Sequence, residues 1–419
     1  MKIAVMGGIR RIKEINRVFK SDIEIAVYID NDPLMWGKMI EGKKVYSPYD
    51  FPRSIIDRIV IFIYDHAAVD QELIDLGIDA GKIIDFNDQS VDLLVYEDIF
   101  EQDVADRLRL LFRIDYMDKK IKALEDCHQY FEQNYLYEAV GKLRNGEIRL
   151  PKIHSVEETY EKIIADRCSL SRYGDGEFEI ILGNRAVYQQ EDRRLAERLK
   201  DILMSDLDGH IIAIADDYGT MEGLRCENRN VIRKYMTEGK RCEHYALLDM
   251  DKEYFNAYIS RPYVIYPIEE KERAKKRFDA LKRIWDKQEI LFVEGDKTRM
   301  GVGNDLFSNA DRVERIIAPN ENAFRVYDEI YDAVIKYGHN KLILIALGPT
   351  ATVLAYDLAR SGYWALDVGH LDLEYEWFLK GKGYSYIPHK YNNELLGDTN
   401  VILNDDQDHR NSIVLRVAI

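Results

Sequence analysis

The stretch SLSRYGDGEFEIILG, residues 169–183, predicts a strand that ends in an acidic turn. Gly174 and Gly176 mark the position where the chain turns, and Asp175 and Glu177 lie two apart with one glycine between them. In a turn, this spacing lets two carboxylates converge on one hard cation. Mg²⁺ or Mn²⁺ bound in this way keeps further positions open for a diphosphate. The stretch therefore predicts a metal and phosphate site at the end of a strand.

Arg172 directly precedes this turn, where a guanidinium can contact phosphate or orient a carboxylate. Together these residues suit the departure of a nucleoside diphosphate, because a metal ion neutralises the charge that develops on it. A solvated acidic turn is the alternative interpretation, since Asp-x-Glu is a common pattern. The position at the carboxyl end of a predicted strand favours the site, because open α/β sheets bind their ligands there.

Four apolar runs further along the chain predict strands of the same sheet. They are GHIIAIAD (209–216), EILFVEG (289–295), RVERIIAP (312–319) and KLILIALG (341–348). Their continuous apolar character is typical of parallel strands that are covered on both faces. A Ser-x-x-Glu capping box at Ser155 and Glu158 predicts the first helix of this part of the chain. We expect residues 151–419 to form one α/β domain.

Residues 1–90 predict a second parallel sheet of the Rossmann-like kind, because short apolar strands alternate with helical stretches. The first strand ends at a glycine pair and the second at Asp30, as in dinucleotide-binding folds, but the third glycine of that pattern is missing. Arg10 and Arg11 follow the pair instead. The domain is therefore expected to be structural or regulatory, to mediate oligomerisation, or to cradle a nucleotide-type ligand with these arginines.

The segment 91–150 predicts a helical linker, because its apolar residues recur at helical spacing among many charges. A length of 419 residues is consistent with two or three domains. The fold prediction is thus an α/β chain with two Rossmann-like parallel-sheet domains joined by a helical segment.

The composition excludes some classes of function. The chain has 75 acidic and 59 basic residues, and its net charge of -16 argues against nonspecific nucleic-acid binding, which needs a basic face. No apolar run approaches the ~20 residues of a transmembrane segment. The four cysteines form no C-x-x-C pair, and the N-terminus lacks the features of a signal peptide. We therefore expect a cytoplasmic protein in a reducing compartment.

The stretch around Arg172 resembles the R-[FY]-G-D-G-E signature of the GT-D-fold glycosyltransferases, a family first known as a domain of unknown function. Three further segments are similar to the same family. They are VEGDKTRMGVGNDLF (293–307), RIIAPNENAF (315–324) and ALGPTATVLAYDLARSGYWALDVGHLDLEYEWF (346–378). The resemblance implies a GT-D-like α/β domain and a nucleotide-sugar donor that is usually UDP-linked. It also implies a divalent Mn²⁺ or Mg²⁺ held through Asp175 and Glu177.

The second of these segments carries charged residues after a predicted strand. Glu294 is placed at the end of that strand, where it is a candidate general base for the acceptor hydroxyl. Lys297 and Arg299 follow and are candidates for contacts with donor phosphates. A charged surface loop is the alternative, but charge, glycine and a strand end coincide here.

Gly348 and Pro349 predict a tight turn into a helix, with Thr350 at the helix start. Free N–H groups at such a start bind anions, so Gly348 and Thr350 are candidate donor-binding residues. The alternative is that the Gly-Pro pair only starts the helix and that Thr350 only caps it.

Two more groups of polar residues follow predicted strands. His370 and Glu374 are candidate catalytic residues, with a metal ligand, a general base or an acceptor contact as possible roles. A polar loop without function is the alternative. Asp216 and Asp217 are candidates for binding the donor ribose or the acceptor, or they form a strand-terminating turn.

These patterns and the resemblance together predict a metal-dependent glycosyltransferase. It would move a sugar from a nucleoside-diphosphate donor, with UDP favoured, to a glycan or lipid-linked acceptor in bacterial surface-glycan synthesis. An NAD(P)-dependent oxidoreductase acting through the first domain and a non-catalytic nucleotide-sugar-binding protein are the alternatives. A homo-oligomer is compatible with the sequence.

Overall fold

The chain forms two compact units, Met1–His128 and Gln129–Ile419, and the described strands of each unit form one β-sheet. The computed structural model describes residues 1–63, 67–87, 93–138, 149–184, 189–392 and 406–418. Parallel strand pairs dominate both sheets, which confirms the predicted α/β fold with two Rossmann-like sheets. None of the described helices combines the length and the apolar composition that a membrane crossing requires.

The described part of the first unit contributes six strands to its sheet. They are β1 (Lys2–Met6), β2 (Glu24–Ile29), β3 (Met39–Ile40), β4 (Lys43–Tyr46), β5 (Arg58–Ile61) and β6 (Ile83–Asp85). Their order in the sheet is β3-β4-β2-β1-β5-β6, and only the pairing of β3 with β4 is antiparallel among them. The central position of β1 between β2 and β5 is the arrangement expected of a Rossmann-like sheet.

The α-helices described in the first unit include one that continues into the second unit. They are α1 (Ile12–Ile15), α2 (Ala67–Asp75), α3 (Leu93–Ile99) and the long α4 (Gln102–Glu138). Apolar side chains of β1 share a core with those of α3 and the start of α4, among them Val5, Tyr96 and Leu108. The division between the units falls within α4, so the boundaries near residues 90 and 150 stay predictions.

The glycine pair after β1 is packed against protein side chains. Gly7 and Gly8 have φ angles of 75° and 67°. A Cβ atom at Gly7 would lie 2.5 Å from Ile63, and one at Gly8 would lie 2.6 Å from Ile15. In a dinucleotide-binding fold, glycines at this turn let the backbone approach the pyrophosphate of the ligand closely. Here side-chain packing accounts for both glycines, which disfavours the NAD(P) alternative.

The helix that follows the glycine pair is shorter than predicted. Ile12, Ile15 and Phe19 recur at helical spacing and predict a helix over residues 10–20, whereas α1 spans only Ile12–Ile15 after a 3₁₀ turn. Arg11 pairs with Asp115 at 2.7 Å and is therefore engaged within the first unit. The predicted cradle of two arginines stays untested for Arg10, whose side chain lies outside the described residues.

Nine strands form the sheet of the second unit within the residues that the structure describes. They are β7 (Lys152–Ile153), β8 (Ser169–Tyr173), β9 (His210–Ile214), β10 (Glu253–Asn256), β11 (Glu289–Gly295), β12 (Arg312–Ala318), β13 (Leu342–Ala346), β14 (Trp364–Asp367) and β15 (Ile413–Arg416). Their order is β15-β12-β11-β13-β14-β8-β9-β10-β7, and all the neighbouring pairs are parallel. All strands predicted from the apolar runs are present in this sheet.

Helices cover both faces of this sheet. They are α5 (Val156–Asp166), α6 (Asp175–Ile181), α7 (Arg193–Leu203), α8 (Cys226–Tyr235), α9 (Glu238–Tyr245), α10 (Lys271–Ile284), α11 (Tyr327–Tyr337), α12 (Pro349–Arg360), α13 (Leu371–Lys380) and α14 (Gln407–Ser412). Alternate residues of β11 enter two separate cores, with Ile290 and Phe292 in one and Leu291 and Val293 in the other. Burying one such side chain stabilises the fold by about 1.5–3 kcal/mol. Because both faces of the strand are covered, successive apolar residues all contribute, and the strand reads as a nearly continuous apolar run.

The capping box that starts α5 is confirmed. Ser155 Oγ accepts the Glu158 N–H at 3.2 Å, and Glu158 Oε2 accepts the Ser155 N–H at 2.8 Å. Two N–H groups at the helix start are thereby satisfied by side chains.

Candidate active site

A cavity of about 590 Å³ opens at the carboxyl edge of the second sheet. Its wall contains residues that follow seven neighbouring strands. These include Gly174 after β8, Asp217 after β9, Tyr258 after β10, Thr298 after β11, Asn320 after β12, Gly348 after β13 and Gly369 after β14. The predicted site residues that line it are Arg172, Gly174, Asp175, Gly176, Glu177, Asp217, Gly348 and His370. Because parallel strands end at one edge, segments far apart in the sequence meet in this cavity.

Arg172 is held by the end of the neighbouring strand β14. Its Nη2 lies 2.7 Å from Asp367 Oδ1, and its Nε donates to the Asp367 carbonyl at 2.9 Å. Its Nη1 donates to Ser260 Oγ at 2.6 Å. Gly369 has a φ of 49°, and a Cβ atom there would lie 2.2 Å from Arg172 Nη2, so a side chain at this position would displace the guanidinium. Of the two roles predicted for Arg172, the geometry favours orientation of a carboxylate.

The acidic segment after β8 is the first turn of a helix, whereas the sequence predicted an open turn. Asp175 begins α6, and Gly174 is the residue that caps its start. Glu177 folds back so that its Oε2 accepts the Gly174 N–H at 2.8 Å. Asp175 is exposed, and its Oδ1 accepts the Gly176 N–H at 3.0 Å. The two carboxylates therefore differ, since Glu177 uses one oxygen to stabilise the helix start.

Two carboxyl groups in the cavity wall have raised pKa values. Burial raises the pKa of Glu177 to about 7, with a backbone hydrogen bond opposing this shift and the charge of Asp367 adding to it. Burial also raises the pKa of Asp217 to about 7, against the effect of the Tyr258 hydroxyl that donates to Asp217 Oδ1. The charge of Asp175 raises both pKa values further. A cation at this position would relieve the repulsion among these carboxylates.

This arrangement fits a cation that is shared with a bound diphosphate. Within the described ranges, no group of three or more His, Cys, Asp or Glu side chains is arranged to hold a metal ion. Mg²⁺ is typically held by one or two carboxylates together with substrate phosphates and water. Asp175 is exposed to the cavity, and Glu177 Oε1 is not the oxygen used in the helix cap. These two side chains fit such a site.

The start of α12 forms another part of the cavity wall. Gly348 precedes the helix at a φ of 55°, and Gly348 and Pro349 line the cavity without a side-chain cap. Thr350 is fully buried, and its Oγ1 has no hydrogen-bond partner among the described residues. The Thr350 side chain therefore does not cap the helix, in contrast to the alternative interpretation. The backbone of this helix start lies where an anion would be bound.

Glu294 lies inside the protein, away from the cavity. It is fully buried, and its Oε1 is paired with Arg315. Its Oε2 accepts the Met300 N–H at 2.7 Å, and Arg315 donates to the Met300 carbonyl at 2.7 Å. Because both carboxylate oxygens are engaged below the surface, the geometry disfavours the predicted role of Glu294 as a general base and gives it a structural one.

Lys297 and Arg299 lie on the loop after β11 but do not line the cavity. Arg299 is 3% exposed, has a φ of 52°, and interacts electrostatically with Asp406. Its carbonyl accepts the Lys390 ammonium at 2.7 Å. A guanidinium buried in this way does not meet donor phosphates in the cavity, so the predicted contact is disfavoured for Arg299. Thr298, which lies between Lys297 and Arg299 in the sequence, is the residue of this loop that lines the cavity.

His370 and Glu374 have different environments although they are four residues apart. His370 directly precedes α13 and lines the cavity. Glu374 is fully buried, and its Oε2 accepts the N–H groups of Tyr263 and Val264 at 3.0 and 2.8 Å. Glu374 therefore anchors a backbone segment, whereas His370 lies in the cavity wall, and its catalytic role stays a prediction.

No role was predicted from the sequence for Tyr258, which lines the cavity, or for Ser260, which accepts a hydrogen bond from Arg172. Tyr258 and Ser260 lie in a 3₁₀ turn after β10, where no motif marks them. Asp217 did carry a signal, since it follows a predicted strand, but the sequence did not distinguish it from its neighbour Asp216. The hydrogen bond from Tyr258 to Asp217 joins segments 41 residues apart.

Comparison with known sequences places the cavity within a recognised domain. The family profile described as "Glycosyltransferase GT-D fold" matches residues 170–395. The "Probable glycosyl transferase Gly" of Streptococcus gordonii is 34% identical over 287 residues, which are 68% of this chain and 42% of that protein. "Glycosyltransferase GlyD" of Streptococcus pneumoniae serotype 4 is 36% identical over 273 residues, or 64% of this chain and 32% of that protein. The chain thus spans less than half the length of these relatives.

Solved structures share the fold of the second unit. One is described as a new glycosyltransferase (DUF1792) from Streptococcus sanguinis, with a TM-score of 0.61, 34% identity, and coverage of 64% of this chain and 100% of the other. Another is described as the highly conserved domain of unknown function 1792 with a distinct glycosyltransferase fold. Its TM-score is 0.61 at 33% identity, with coverage of 64% of this chain and 96% of the other.

Proposed function

Because this chain belongs to the GT-D-fold glycosyltransferase family, we propose that it transfers a sugar from a nucleoside-diphosphate donor to an acceptor hydroxyl. The observation that carries the proposal is the cavity at the carboxyl edge of the second sheet, with Asp175 exposed in its wall. UDP is the donor nucleotide that the family resemblance favours. The same resemblance supports a glycan or lipid-linked acceptor and a role in bacterial surface-glycan synthesis.

The donor diphosphate is placed in this proposal between the starts of α6 and α12. The twelve-residue α12 presents its first turn to the cavity at Gly348 and Pro349. N–H groups at a helix start attract phosphate through direct hydrogen bonds and the helix dipole. Asp175, with Glu177 beside it, would hold the Mn²⁺ or Mg²⁺. When bound, that ion neutralises the charge that develops on the departing diphosphate.

Asp217 is the group that we propose accepts the proton of the acceptor hydroxyl if the transfer inverts configuration. It lines the cavity and follows β9, the strand next to the one that leads to Asp175. In the transfer, the acceptor oxygen bonds to the sugar carbon as the bond from that carbon to the diphosphate breaks. The hydroxyl proton moves to the Asp217 carboxylate. A pKa near 7 suits a general base at neutral pH.

Replacing Asp217 with asparagine is expected to lower kcat by about 10²- to 10⁴-fold, the usual contribution of general-base catalysis. Tyr258→Phe removes the hydrogen bond that lowers the pKa of Asp217. A base must be deprotonated to act, so activity rises with pH through this pKa, and its rising limb should shift to higher pH in the tyrosine variant. The measurement is kcat/KM for transfer from pH 5 to 9. If the rising limb of the pH profile does not shift in Tyr258→Phe, or if Asp217→Asn remains active, Asp217 is not the general base.

The wall formed by α8 supports a sugar-containing acceptor. Val231 is 68% exposed yet lines the cavity, and Tyr235 lies one turn further along the same helix. Tyr384 lines the cavity as well, and its hydroxyl accepts the side-chain amide of Asn228 at 3.2 Å. Apolar and aromatic groups that keep a polar tip suit the C–H face of a sugar ring.

Calorimetric titration of UDP with and without Mn²⁺ tests the donor site first. We expect binding that requires the metal, because the diphosphate completes the coordination of an ion held by few protein ligands. Metal-dependent binding without transfer or donor hydrolysis would favour a non-catalytic nucleotide-sugar-binding protein. No binding with UDP, followed by binding in a panel of GDP, CDP and dTDP, would reassign the nucleotide.

A further inference from the structure

An apolar stripe runs along α4 on the side that faces away from the first sheet. Ala105 and Leu108 are buried in the core of the first unit, and Phe112 packs against that core. On the opposite side, residues recur at alternating intervals of four and three. They are Leu110, Ile114, Met117, Ile121, Leu124, His128 and Phe131, and we call them the α4 seam.

The apolar side chains of the α4 seam are exposed with respect to the described part of the chain. Their exposed fractions are 60% for Leu110, 47% for Ile114, 50% for Met117, 48% for Ile121, 69% for Leu124 and 43% for Phe131. A contiguous row of large apolar side chains marks an interaction surface. Intervals of four and three average 3.5 residues, which is the repeat of a left-handed coiled coil. The seam covers about three heptads, or roughly 33 Å of helix.

We propose that the α4 seam pairs with the seam of a second copy of this chain in a parallel, two-stranded coiled coil. In heptad terms, the a positions are Ile114, Ile121 and His128, and the d positions are Leu110, Met117, Leu124 and Phe131. Branched isoleucine at a with leucine at d favours two parallel strands, because the two positions pack with different geometry. The seam is thus complementary to itself.

Charges beside the seam select the same partner and orientation. Arg113 and Lys120 occupy g positions, and Asp118 and Glu125 occupy e positions, and all four are exposed. In a parallel pair, each g residue faces the e residue five positions later in the other helix. Arg113 then faces Asp118 of the second copy, and Lys120 faces Glu125 of the second copy. An antiparallel pair would bring arginine and lysine together and aspartate beside glutamate, which is repulsive.

Packing of the start of α4 against the first sheet explains how a seam of only three heptads can be long enough for two copies to associate. A free helix of this length is marginal in water, because ordering its backbone costs entropy. Ala105 and Leu108 hold the start of α4 in the core of the first unit, so the helix is formed before two copies meet. Association then requires less ordering than in a free peptide.

The oligomeric state of the full chain tests the seam. Light scattering after gel filtration at micromolar concentration should give twice the chain mass of 49.0 kDa. Ile114→Lys with Ile121→Lys should halve that mass while circular dichroism stays unchanged, because both side chains are exposed. Lys119→Glu with Lys122→Glu, on the same helix but outside the seam, should leave the dimer intact. A monomeric wild type, or a dimer that survives the isoleucine changes, would overturn the proposal.

Charge exchange and cross-linking test the pairing itself. Arg113→Glu with Lys120→Glu, and separately Asp118→Lys with Glu125→Lys, should each give monomers, and mixing the two variants should restore the dimer mass. Leu110→Cys should form a disulfide between copies on mild oxidation, because the two ends of a parallel pair coincide. Failure to recombine on mixing, or no cross-link at position 110, would overturn the parallel coiled coil. None of these readouts depends on sugar transfer.

Discussion

Replacing Asp175 with alanine is expected to reduce kcat/KM for sugar transfer by about 10²- to 10³-fold, a loss similar to that from removing one preorganised electrostatic contact. In the proposed reaction, this carboxylate is the exposed protein ligand of the metal that would neutralise the leaving diphosphate. Metal-dependent binding of UDP should weaken in the same variant. Initial rates with a UDP-sugar donor, together with calorimetry in Mn²⁺, would measure both effects.

Asp175 is a cleaner test of the metal proposal than Glu177. Asp175 is exposed, so its loss should change the free energy of unfolding little, whereas Glu177 also holds the Gly174 N–H at the start of α6. Removing a capping group costs about 1 kcal/mol on its own. Asp201→Ala is the matched control, because Asp201 is an exposed aspartate on α7 that lies outside the cavity wall. Full transfer activity in Asp175→Ala would show that the reaction does not depend on a metal ion held by this carboxylate.

The sequence was sufficient for those strands of the second sheet that contain continuous apolar runs. Residues 290–293 of β11 and Leu342–Ala346 of β13 are all apolar, and both faces of these strands are buried. The helix after β1 was predicted less well. Apolar residues at helical spacing over residues 10–20 indicated a longer helix, but the segment forms a 3₁₀ turn and one turn of α-helix. Packing of the glycine pair against Ile15 and Ile63 is a tertiary effect that spacing does not record.

In the candidate site too, some residues could be predicted from the local sequence, whereas the positions of others depend on tertiary contacts. Asp175 and Gly348 were identifiable because they directly follow strands, and strand ends meet at one edge of a parallel sheet. The partner of Arg172 was not identifiable, since Asp367 lies 195 residues away. Glu294 was misplaced for a related reason. It is the penultimate residue of β11, so the pleat decides whether its side chain faces the cavity or the interior.

Removing the buried charge of Glu294 is expected to have the largest effect on stability. Glu294→Ala leaves the Arg315 guanidinium buried without its carboxylate, and breaking a buried pair in this way destabilises a protein by about 3–5 kcal/mol. It also removes the acceptor of the Met300 N–H. Urea denaturation followed by tryptophan fluorescence would measure the loss, because Trp285 is buried in the second unit.

Glu294→Gln separates the structural role of Glu294 from the catalytic role that the sequence suggested. The amide keeps an acceptor for the Met300 N–H and a similar volume, so this variant should be less destabilised than Glu294→Ala. A general base converted to its amide loses about 10²- to 10⁴-fold in kcat even when the protein remains folded. A buried structural carboxylate instead loses activity only in proportion to the unfolded fraction. If folded Glu294→Gln keeps its kcat, Glu294 acts by holding Arg315 and the loop at Met300. If its kcat collapses at full stability, the loop must open to expose Glu294 during the reaction.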